Sequence, residues 1–167
     1  MEAWLEDFRA TIERAAAQLL AIPDDHAGLA KSEGKWSAKQ IIGHLIDSAT
    51  NNHQRFVRAQ FTDHMVFPGY EQEAWVEVQR YNDEPWTQLV QLWRLYNLHL
   101  CHVMATVPET ARTRSRGEHS LDRIAWQAVS ESEPVTLDYF MRDYVAHLQH
   151  HLRQIFALSE PPALAGG

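Results

Sequence analysis

A single cysteine, Cys101, in a chain of 167 residues excludes an internal disulfide and suits a reducing compartment. No run of 18 apolar residues occurs, so no membrane span is expected. The opening residues, MEAWLEDFRA, carry acids and a tryptophan where a signal peptide needs basic residues and then an apolar run. Export is therefore not expected, and the cytoplasm is the expected location. Basic residues are short as well: 15 against 22 acidic, a net charge of −7 with neutral histidines. A nucleic-acid partner, which needs a basic face to displace counterions, is excluded on that balance. The one basic cluster, ARTRSRGEH at 111–119, reads as an exposed loop. Also missing are H-E-x-x-H, a glycine-rich phosphate loop, C-x-x-C and G-x-S-x-G, which removes the common zinc-protease, nucleotide, redox and serine-hydrolase signatures. Sustained strand alternation is absent too.

What is present is helical periodicity. Hydrophobic residues make up 45% of a chain long enough for one domain and too short for two, with no internal repeat. The first helix is expected from Glu2 to Ile22, on Trp4, Leu5, Phe8, Ile12 and Leu19, with Pro23 ending it. A second opens at Ser37, a good N-cap that forms a capping box with Gln40, and buries Ile41, Leu45, Ala49 and Phe56. A third follows NDEPW, with Pro85 in its first turn, and lines one face with Leu89, Leu92, Trp93, Tyr96 and Leu100. The fourth runs from about Thr136 to Leu158 on Leu137, Met141, Tyr144, Leu148, Leu152 and Ile155. The long connections are expected to hold short helical pieces at 70–81 and 120–130. The class is all-α, with a four-helix bundle over 1–160 and a loose tail at 161–167.

The last helix contains YVAHLQHHLRQI, residues 144–155. On a 100° wheel centred on Leu148, His151 lies about 60° and His147 about 100° to the same side of the apolar arc, while His150 falls opposite it, in solvent. His147 and His151 thus form an i, i+4 pair able to share a ligand. On the second helix His44 sits about 100° from Leu45, and Ser48, Asn51 and Arg55 follow on that side. Asn52 falls inside the apolar arc, where its amide needs a partner. Three neutral imidazoles from two helices can hold a divalent metal and leave a position open. Nitrogen ligation favours Zn²⁺ or Ni²⁺, with Fe²⁺, Mn²⁺ and Cu²⁺ also compatible, over Mg²⁺ or Ca²⁺. Asp143, one turn before His147, is a candidate orienting acceptor, extra ligand or catalytic base. Asn51, Asn52 and Arg55 are candidates for binding substrate, Arg55 either anchoring an anionic group or pairing with a nearby acid. Neutral imidazoles predict metal affinity falling as pH drops through about 6. Boundary histidines that only form hydrogen bonds fit the same pattern, and His99, Cys101 and His102 form a rival group that the wheel does not converge. Trp4, Trp36, Trp86, Trp93 and Trp126 are expected in the core or an interface.

WSAKQIIGHLIDSA at 36–49, followed about 100 residues later by DYVAHLQHHLRQI at 143–155, resembles the DinB-like superfamily, which includes YfiT-like metal-dependent hydrolases and bacterial thiol S-transferases. GYEQEAWVEVQRYND between them is similar to the connection in one branch. The resemblance implies an up-down-down-up bundle, a homodimer, and a metal on His44, His147 and His151, with His150 outside the ligand set. It also implies a small-molecule substrate and a thiol S-transferase or hydrolase activity, a low-molecular-weight thiol being a possible cosubstrate. A bundle that binds metal or a small ligand without turnover is the alternative, and a metal-free structural bundle is a third.

Overall fold

Ser37 starts the element that carries the site. Its hydroxyl accepts the Gln40 amide proton while the Gln40 side chain accepts the Ser37 N–H, the reciprocal box expected from sequence. The same Ser37 hydroxyl donates to Asn82 Oδ1 at 2.7 Å, so the cap also ties in a distant turn. Ser37→Ala should cost about 2 kcal/mol, read as a lowered urea midpoint with unchanged slope.

The computed structural model describes residues 2–159; the tail expected to be loose lies outside them. The helices are α1 (Ala3–Leu20), α2 (Asp24–Ala27), α3 (Ala38–Arg58), α4 (Gln72–Gln79), α5 (Trp86–Thr106), α6 (Glu109–Thr113), α7 (Leu121–Ile124) and α8 (Leu137–Ser159). A 3-10 turn, Tyr81–Asp83, links α4 to α5. Among the described residues there is no strand, only isolated bridges joining Met65 to His119 and Arg116 to Val135. No helix among them is long and apolar enough to cross a membrane.

Side-chain contacts fix the directions of the four long helices. Trp86 Nε1 donates to Leu19 O, Arg94 grips Glu13, and Cys101 Sγ points at Leu5 O, so α1 and α5 are antiparallel. Lys39 reaches Glu84 O just before α5, and His53 meets Tyr96, so α3 runs parallel to α5. His44 faces His147, and Phe56 faces Phe140 and Tyr144, so α8 opposes α3. α1 therefore lies parallel to α8, with Trp4 beside Arg142 and Phe8 against Tyr144. This is an up-down-down-up four-helix bundle. The parallel α3–α5 pair needs a crossover, which residues 59–85 supply with α4 in it.

Several expectations fail for definable reasons. Leu92, placed on the buried face of the third helix, is 50% exposed, because α1 and α3 cover only Leu89, Trp93, Leu100 and their neighbours. Pro85 is the N-cap itself, and the acid that caps α5 comes from another element: Asp24 Oδ1 accepts the Trp86 N–H at 2.7 Å. The 120–130 segment is helical only at Leu121–Ile124. Residues 111–119 are only in part the exposed loop expected: 113–115, 117 and 118 are exposed, but Ala111, Arg116 and His119 are buried. The Arg116 guanidinium donates to the carbonyls of Arg114, Ala59 and Ala111, placing its charge at the C-terminal ends of α3 and α6. Trp126 is 42% exposed rather than in the core, whereas Trp86 and Trp93 are fully buried.

Candidate metal centre

Because α3 and α8 are antiparallel neighbours, the seventh residue of one meets the middle of the other. His44 and His147 bring their Nε2 atoms to 3.2 Å. His151, one turn on from His147, sets its ring centroid 4.8 Å from His44 and 4.5 Å from His147. One ligand nitrogen from each of the three lies within 4.8 Å of the others. Two imidazoles bound 2.0–2.1 Å from a common ion at 90–110° hold their nitrogens about 2.9–3.4 Å apart, so the observed approach fits one divalent metal. No other group of three His, Cys, Asp or Glu side chains converges in this way among the described residues. In the rival group Cys101 is buried against Leu5 O and His99 packs on His53 instead.

The rings are held in the form a metal needs. Burial lowers the pKa of His44 to about 4, helped by the charge of His151, and that of His147 to about 3, helped by His151, His44 and His150. Burial also lowers His151, against the raising effect of its bond to Gln154. The His151 Nδ1–H donates to Gln154 Oε1 at 2.7 Å, which leaves Nε2 as the lone-pair nitrogen. Gln154 then donates through Nε2 to His150 at 3.0 Å. Sequence reasoning missed Gln154, although its place three residues after His151 on one helix was the available signal. The Nδ1 of His44 is buried without a hydrogen-bond partner among the described residues, so packing orients that ring instead: Trp36 lies against it at 5.2 Å.

A cavity of 330 Å³ opens beside the imidazoles. His147, His150 and His151 form one wall, and Ser48, Asn52 and Arg55 of α3 another. Tyr70 and Trp126, neither singled out as a site residue from sequence, also line it. His150 is half-buried in that wall with the Trp126 ring 5.4 Å away, not in solvent as its own wheel implies. Asn51 lies outside the lining and donates back to Asp47 O. Asn52 donates to Ser48 O at 2.9 Å, which answers the demand of its buried amide. Asp143 lines the cavity, yet its two oxygens accept the Trp126 and Gln127 amide protons, each at 2.8 Å. It therefore holds that segment over the site rather than orienting an imidazole. Burial still raises its pKa despite those bonds.

These pKa directions carry a pH prediction. Above pH 6.5 the imidazoles are neutral in folded and unfolded chains alike; below it the unfolded chain binds protons that the fold excludes. Metal-free protein should thus lose stability as pH falls from about 6.5, by on the order of 3 kcal/mol at pH 4.5, in urea titrations. Bound metal should survive to lower pH than free imidazoles allow, staying at pH 5.5 and leaving near pH 4, the value to which His44 is lowered.

A family model described as the DinB superfamily matches residues 5–155. "Putative metal-dependent hydrolase YfiT" of Bacillus subtilis is 24% identical over 156 residues, 93% of this chain and 80% of that protein. A protein of the same description from Oceanobacillus iheyensis is 26% identical over 72 residues; the match spans 43% of this chain and 42% of the relative's length. The solved structure of the B. subtilis protein, described as "a probable metal-dependent hydrolase with an unusual four-helix bundle topology", superposes with a TM-score of 0.72. It has 20% identity, and the superposition covers 95% of this chain and 88% of that one. With the family model spanning residues 5–155, nearly the whole chain, this protein belongs to the DinB superfamily.

Proposed function

We propose that the protein is a metal-dependent hydrolase of small molecules, working as a cytoplasmic homodimer with one divalent transition metal on His44, His147 and His151. The convergence of three neutral imidazoles from α3 and α8 carries this reading. The descriptions of the two curated relatives as metal-dependent hydrolases support the reaction class. His44, His147 and His151 would hold a Zn²⁺ or Ni²⁺, which would supply the Lewis acidity that lowers the pKa of a water or of a low-molecular-weight thiol.

The chain's own residues do the rest. Gln154 keeps the His151 ring in one tautomer. Trp36 packs on His44, and Trp126 on His147 and His150, so both shield the nitrogens from bulk solvent. Asp143 fixes the Trp126 wall through two backbone amides, and Asn52 and Arg55 face incoming substrate. With both oxygens engaged, Asp143 is poorly placed as a base, and no other carboxylate among the described residues lines the cavity.

Protein purified without nickel resin should contain close to one transition metal per chain by elemental analysis. It should hydrolyse members of an ester and amide panel at rates abolished by chelator and restored by metal. A parallel panel of thiols with electrophiles decides between hydrolysis and thiol transfer. Stoichiometric metal with no turnover in either panel would replace the hydrolase by a metal-binding bundle, and metal-free folded protein would remove the centre.

A further inference from the structure

Arg55 is 5% exposed yet has no acid partner among the described residues, unlike Lys39, Arg94 and Arg112, each of which is paired. It uses two of its five N–H donors, one to Asn52 Oδ1 at 3.4 Å and one to Pro68 O at 2.7 Å. Asp143, the one carboxylate among the described residues that line the cavity, is committed to backbone amides. Asp47 accepts from Tyr81 and Gln79 through Oδ1 alone, its Oδ2 being buried without a hydrogen-bond partner among the described residues, and it makes no ion pair with Arg55. A guanidinium withdrawn from water without a counter-charge costs several kcal/mol, and burial lowers its proton affinity with only Tyr70 acting the other way. The chain is acidic overall, yet this cavity is lined by Arg55 within and by Arg123, which pairs with Asp122, at its rim, beside neutral imidazoles and the amide-bound Asp143.

We infer that the cavity takes a substrate bearing a carboxylate that seats on Arg55, with the bond to be cleaved at its other end, toward the three histidines. The second half of this statement rests on the hydrolase reading above; the carboxylate seat does not. Arg55 is the buried cation of the cavity, since Arg123 is mostly exposed and paired with Asp122, so a carboxylate meets it one to one, whereas a phosphate dianion would add a second charge beside Asp143. His44 and Arg55 are eleven residues apart on α3, ~16 Å along the axis. The arginine side chain leans back toward the helix N-terminus, which leaves a gap on the order of 10 Å for the body of the substrate.

Two probe pairs separate the seat from the metal. On zinc-loaded protein, octanohydroxamate and suberic monohydroxamate share a metal-binding end and differ in a terminal carboxylate. The suberic compound should bind about tenfold more tightly by calorimetry, and Arg55→Gln should reduce that advantage to within about twofold while leaving octanohydroxamate unchanged. On metal-free protein, octanoate should bind more tightly than octanamide, again only with Arg55 present. Failure of both hydroxamates to bind, with octanoate still preferred, would remove the metal and keep the seat. Equal binding within both pairs in the wild type would overturn the inference even if Arg55→Gln does not fold. Tighter binding of octylphosphonate than octanoate to metal-free protein would overturn it in favour of a phosphate.

Discussion

His147→Ala should strip the metal and abolish metal-dependent turnover while leaving the bundle folded. His147 supplies one of three converging nitrogens, and its Nε2 lies 3.2 Å from that of His44. Losing an outer partner of a metal-bound histidine already costs about 10–100-fold in affinity, so loss of the ligand itself should cost at least ~100-fold. The fold should tolerate it, because His147 is half-buried in a cavity wall, whereas His44 is buried under Trp36. Competition against a chromophoric chelator gives the affinity, and urea unfolding of the metal-free forms gives the stability, expected within about 1 kcal/mol of wild type. The metal-free variant should also resist acid better, since an imidazole whose pKa the fold lowers to about 3 has been removed. Undiminished metal content in this variant would sink the three-histidine assignment.

Gly43→Ala should be the most damaging glycine-to-alanine change among the described residues. A Cβ there would lie 2.0 Å from Tyr81 Cδ2 and 2.3 Å from Cγ, and Cγ cannot swing away without moving the 3-10 turn. Tyr81 is also anchored at its far end, its hydroxyl donating to Asp47 Oδ1 at 2.8 Å, an oxygen that accepts from Gln79 as well. Alanine is favoured over glycine in a helix by about 1 kcal/mol, so at an open site the substitution would stabilise. Here overpacking of about 1–3 kcal/mol and a weakened bond to a buried carboxyl of about 1–3 kcal/mol outweigh that gain. A net loss of about 3 kcal/mol is expected in the urea midpoint, and a neutral or stabilised variant would contradict the packing described. Because Gly43 directly precedes His44, the backbone shift should also weaken metal retention.

The readable parts of this sequence are those where a local rule decides. Ser37 and Gln40 announce the start of α3 because a cap is settled within four residues. The edge placement of His44, His147 and His151 follows from each helix's own apolar arc, and the bundle then closes those edges on one another. The misreadings arise where a neighbour decides. His150 is half-buried because Trp126 packs on it, and Leu92 stays exposed because neither α1 nor α3 reaches it. Arg116 sits in a stretch with no periodicity at all, its burial set by where α3 and α6 end. Arg55 could be marked as polar and near the site, but its lack of an acid partner required every neighbouring element to be in place.

The two halves of the imidazole cluster are 103 residues apart in the chain. At translation rates of about 5–20 residues per second, roughly 5–20 s separate the synthesis of His44 from that of His147. During that interval His44 stands on the nascent α3 without either partner from α8, so any ion capture by this cluster would be a late event, reserved for chains whose last helix has left the ribosome and docked.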